Sequence, residues 1–145
     1  MKASRKTVVS AVSGALFIGL VFVRFGGAAA TGSTEGIWLA KASDSTEMEI
    51  TIRDAVVAKV SKWVGFACPA GFGAANVVFS GSGKGTDRAF TFQGSGMTSS
   101  CGKAELKLTG TFKTSSEASG TGVFQLPQAS SQKAENFTWT AKRKQ

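Results

Sequence analysis

Met48, Ile50 and Ile52 alternate with Glu47, Glu49, Thr51 and Arg53. Successive side chains of an extended chain point to opposite faces, so this spacing makes an apolar row on one face and a charged row on the other. Val56, Ala58 and Val60 continue the alternation with Lys59 and Ser61 facing the other way. The strand is expected to run on, through a bulge near Trp63, into Phe66 and Cys68. Asp54-Ala55 lies between the two runs as a tight turn. Further strand-like runs occupy residues 76–80, 89–93, 105–113, 120–126 and 135–142, and no segment after residue 31 has a helical period. About eight short strands with Gly, Ser and Asn breaks specify an all-β fold, a small antiparallel β-sandwich or barrel.

The first 30 residues read as an address preceding that fold. Lys2, Arg5 and Lys6 form a positive start, residues 7–23 an apolar stretch, and Ala28-Ala29-Ala30 a small-residue cleavage site. This is the layout of a secretory signal peptide, a signal helix removed from a β domain over residues 31–145. An uncleaved anchor is the competing reading, because the apolar stretch only touches the lower edge of a spanning length. Arg24 ends the stretch and the cleavage site follows closely, which favours cleavage. Cys is missing near the site, so lipidation has no acceptor there. A secreted or periplasmic location follows, with the membrane involved only through the signal before cleavage. Removing residues 1–30 lowers the net charge from +8 to +4, so much of the basic character belongs to the signal.

Export sets the expectation for the two cysteines. Cys68 and Cys101 allow one intramolecular pairing, and an oxidising compartment favours it. A catalytic thiol is the alternative, but the chain contains no His to generate a thiolate.

FSGSGKGTDRAF, residues 79–90, has the residue types of a phosphate-binding loop. The spacing G-x-x-x-x-G-K-[ST] fails at Val78 and Gly85, and the following Ala89-Phe90-Thr91-Phe92 alternates like a strand instead of opening a helix. The stretch reads as a flexible connection between strands, with Lys84 and Arg88 as solvated tips.

Other chemistry is equally thin. A Ser-His-Asp triad is excluded by the missing His. Glu47 and Glu49 share an outer face and read as solvated residues of a half-exposed strand instead of an acid–base pair. Asp44, Asp54, Asp87 and scattered Glu offer little to a metal, so no metal and no cofactor are expected. The chain reads as a non-enzyme. Among Trp38, Trp63 and Trp139, the last alternates with Thr138 and Thr140 as a core residue does. Trp63 falls on the polar row of its strand and is the preferred exposed aromatic, suited to stacking against a sugar, with packing into the core, should a bulge re-aim it, as an equal alternative. Trp63, Phe66, Phe72, Lys84 and Arg88 are therefore the expected contact residues, on loops around 65–75 and 81–88. The cationic end Ala141-Lys142-Arg143-Lys144-Gln145 reads as a solvated terminus, and nucleic acid is not an expected partner.

Glycines and aromatics recur in a further pattern: Gly36 and Trp38 at the start, Gly110 and Phe112, then Ala118, Gly120 and Thr121, and Thr138, Trp139, Thr140, Ala141 and Arg143 at the end. This resembles a recurring small β-sandwich domain of exported bacterial proteins without an assigned activity. The resemblance covers nearly all of residues 31–145 and brings no catalytic residues. This chain departs from that pattern in its Asp54-Ala55 turn and in lacking a cysteine before the closing Trp. The resulting expectation is a non-catalytic binding or structural module at the cell envelope, whose partner is an envelope polymer or a protein. A small secreted inhibitor or effector acting on a protein partner is the alternative.

Overall fold

The computed structural model describes residues 33–127 and 134–145. The expected signal peptide and its cleavage site lie outside the described residues. Eight strands follow in order: β1 Gly36–Ala42, β2 Glu47–Arg53, β3 Val56–Cys68, β4 Gly71–Gly85, β5 Ala89–Met97, β6 Lys103–Phe112, β7 Glu117–Gln125 and β8 Glu135–Arg143. Each pairs antiparallel with the next, and β8 returns to β1 from Trp38 opposite Arg143 to Ala42 opposite Trp139. The architecture is thus a closed up-and-down barrel. It is not the two-sheet sandwich that the resemblance implies, because the β1–β8 ladder joins what would be two open edges.

Alternation drives the closure. Trp38, Met48, Ile50, Phe79, Leu106, Leu108 and Phe137 point inward, while Lys41, Glu47, Arg53, Lys107 and Lys142 point out. That order is the reverse of a barrel whose outer wall meets lipid. Eight strands enclose just enough room for side chains to fill. Among the described residues, the space between Trp38, Phe90 and Trp139 is too small for a water molecule, so the barrel is packed at that level. A cleft of about 530 Å³ opens at the end where Lys62, Val64, Phe124 and Phe137 face inward.

The glycines of the closing half make room for the large rings of that core. Gly110 pairs with Gly120, and Gly120 with Trp139. A Cβ on Gly120 would meet the Trp139 ring at 2.7 Å. The indole N–H of Trp139 donates to the Thr121 carbonyl at 3.2 Å, satisfying the one polar atom of a nearly buried side chain.

Two local expectations are corrected. The bulge falls at Ala58, not near Trp63: Thr51 pairs with Lys59 but Ile52 with Val57. One extra residue reverses the alternation, so Val57 and Val60 are buried while Ala58 is exposed. Downstream of it, Lys62, Val64 and Phe66 face the core. The second correction concerns the supposed flexible loops. Residues 65–75 are the end of a long β3–β4 hairpin, with Cys68 opposite Gly71. Residues 81–85 are paired strand, with Lys84 opposite Thr91, leaving only residues 86–88 as the turn.

Cys68 and Cys101 form a disulfide, tying the far end of that hairpin to the β5–β6 turn.

Candidate functional site on the outer wall

A shallow groove of about 870 Å³ crosses the outside of the barrel from β7 to β4. Strand register orders its side chains. Glu117 lies opposite Lys142, Lys142 opposite Leu39, Leu39 opposite Glu49, and Glu49 opposite Ser61. A second row places Thr140 opposite Lys41, Lys41 opposite Glu47, and Trp63 opposite Asn76. Glu47 sits one step past the Met48–Lys62 pair, which brings it beside Trp63. Trp63 points outward and is 49% exposed.

The charges lining the groove are Lys41, Lys113 and Lys142 against Glu47, Glu49 and Glu117, a balanced set. Among the described residues, ion pairs close only between Lys62 and Asp44 and between Lys103 and Glu105. The charged heads lining the groove are therefore free to meet a ligand. Asn76 is fixed in place by the Ser61 hydroxyl, which donates to its side-chain oxygen at 2.7 Å, leaving the amide N–H groups available.

Around one end of the barrel lies a cluster that sequence reading missed. Lys62 is 2% exposed, and its ammonium donates to Asp44 Oδ2 at 3.0 Å, to the Thr46 hydroxyl and to the Trp63 carbonyl at 3.3 Å. It also lies 4.9 Å from the centre of the Phe137 ring. Partial burial acts to raise the Asp44 pKa, but hydrogen bonds from the Thr46 hydroxyl and amide and from Lys62, together with the ammonium charge, outweigh it and hold the carboxyl below its ordinary value. With three acceptors on the ammonium, this cluster ties the β1–β2 turn to β3 at the backbone of Trp63, and it lines a cleft of about 530 Å³ at that end of the barrel. The inward Lys continues the row of Val60, and its charge is what makes that direction unexpected from sequence.

The expected contact residues do not form one surface. Trp63 and Phe72 share the outer face of the β3–β4 hairpin, and Phe72 is 90% exposed. Phe66, expected on a loop, packs inside with the core. Lys84 and Arg88 are exposed at the opposite end of the barrel, beside the β4–β5 turn. Of the five, only Trp63 lies in the groove. Compared with known proteins, the chain matches no family model, no curated protein and no solved structure.

Proposed function

We propose that this chain is an exported, non-catalytic binding module that holds a polymer of the cell envelope in its outer-wall groove. The observation that carries this reading is Trp63, a half-exposed indole at one end of a groove with unpaired charges and a fixed amide. Large aromatic faces left in water beside oriented polar groups are characteristic of binding surfaces. A non-catalytic role is supported by the engagement of the reactive groups: both cysteines are joined, and the buried lysine has its full set of acceptors. The disulfide fits an oxidising compartment, which agrees with the signal-like residues 1–30.

A second reading, recognition of a protein partner, draws on the disulfide-stapled hairpin end, where Phe72 and, on the adjoining β5, Met97 at 70% are the most exposed large apolar residues. Strand addition is open to it there, since among the described residues β3 beyond Lys62 and β4 before Ser80 pair only with each other and leave the outer edges of the hairpin end free.

Co-sedimentation of the released protein with isolated cell envelope, at low and high salt, tests the first reading. Retention that survives high salt is the expected result, because a charge-balanced groove gains little from long-range attraction. Loss of retention at high salt reduces the interaction to the cationic C-terminus and contradicts the proposal.

A further inference from the structure

We infer that the groove's ligand is an uncharged, linear saccharide chain, stacked on Trp63 at one end; this rests on the envelope-binding reading above. Three observations converge on that class. First, the groove follows the curved wall across six of the eight strands from β7 to β4, five interstrand spacings or about 24 Å measured along the surface, so a ligand that fills it has several units and bends with the barrel. Second, its formal charges cancel, so neither an anionic nor a cationic polymer gains net attraction there. Carboxylates and ammonium groups set opposite one another, such as Glu47 and Lys41, instead suit hydroxyl groups, which donate to one and accept from the other. Third, a sugar ring presents an apolar C–H face that packs on an indole while its hydroxyls point sideways. The side groups beside Trp63 are Asn76 and Glu47, both able to bond hydroxyls.

A polypeptide is the other extended polymer of suitable length. Its backbone needs regularly placed donors and acceptors, which unpaired strand edges provide. Strands β8, β1 and β2 beneath the groove are paired on both sides, and among the described residues free edges occur only at its far end, on the β3–β4 hairpin beyond Lys62 and Ser80. Over those paired strands the groove offers side chains, whose donors and acceptors suit hydroxyls.

Titration calorimetry of the released protein with linear β-1,4-linked hexasaccharides of glucose and of N-acetylglucosamine tests the inference, with Trp63→Ala, Trp63→Phe and Glu49→Gln alongside. The expected result is binding of at least one hexasaccharide, insensitive to salt. Trp63→Ala should weaken it by about tenfold or more and Trp63→Phe should largely preserve it. Because Trp63 and Glu49 sit on the outer wall, unchanged thermal unfolding of the variants separates lost binding from lost folding. Hexasaccharide binding undiminished in Trp63→Ala overturns the placement. If neither sugar binds, yet envelope retention persists and is abolished by protease treatment of the envelope, the ligand is a polypeptide and the inference fails while the binding reading stands. Loss of both retention and sugar binding defeats the two together.

Discussion

Lys62 and Asp44 form an ion pair of 3.0 Å in which the lysine is almost wholly buried while the aspartate side chain remains 42% exposed. The pair joins the β1–β2 turn to the inner face of β3, next to Trp63, whose carbonyl the same ammonium bonds. Its two members are not equivalent energetically. Removing the carboxylate strands a buried ammonium, whereas removing the lysine leaves an aspartate that water can still reach.

The variants should separate accordingly. Asp44→Ala is expected to lose about 2 kcal/mol, less than a fully buried pair because of the aspartate's exposure, and Lys62→Met to lose under about 1 kcal/mol or gain stability. Chemical denaturation of both variants measures this, and equal losses would contradict the asymmetry.

Acid should act through the same carboxylate. The folded pKa of Asp44 lies below its ordinary value of 3.8, so in that range the unfolded chain binds more protons than the folded one. The contribution is full above about pH 4 and is lost as pH falls through the folded value. The stability difference between wild type and Asp44→Asn should therefore shrink only in strong acid. A difference that vanishes between pH 5 and pH 7 would assign the effect to another group.

The disulfide spans a separation of 33 residues. Replacing both cysteines by alanine should lower stability by about 3 to 4 kcal/mol, through the larger entropy of the unfolded chain. Denaturant unfolding reads this directly, and a loss under about 1 kcal/mol would mean that the hairpin end is held by other contacts.

Asp54 and Ala55 take φ of 52° and 61°, the left-handed pair of a two-residue hairpin turn. Alanine pays a steric cost there that glycine does not. Ala55→Gly should raise stability by about 0.5 to 1 kcal/mol, seen as a higher melting temperature. A lower one would show that the Ala55 methyl group makes a contact worth more than the strain.

Much of the barrel can be read from the alternation, since residues such as Met48, Ile50, Leu106 and Leu108 have a single face on which to be buried. The Asp54-Ala55 turn was legible for the same reason: two alternating runs leave only two residues to reverse the chain. Closure was not legible, because the β1–β8 ladder pairs ends about a hundred residues apart and no local pattern marks it. The directions of Val57 and Ala58 were hidden by the bulge at Ala58, whose position depends on the partner strand, whereas Lys62 and Phe66 continue the row of Val60 and were obscured by the bulge expected near Trp63 and the loop expected after it. The groove was partly visible, through Trp63 on the polar row. Its other members come from strands that only the barrel brings together.

Envelope co-sedimentation of wild type beside Trp63→Ala and Phe72→Ala tests most directly whether the outer-wall groove is the binding surface. The groove account requires that Trp63→Ala lose retention and Phe72→Ala keep it, at low and high salt alike. The opposite pattern, retention that survives loss of Trp63 and disappears with Phe72, would contradict it and place recognition at the stapled hairpin end.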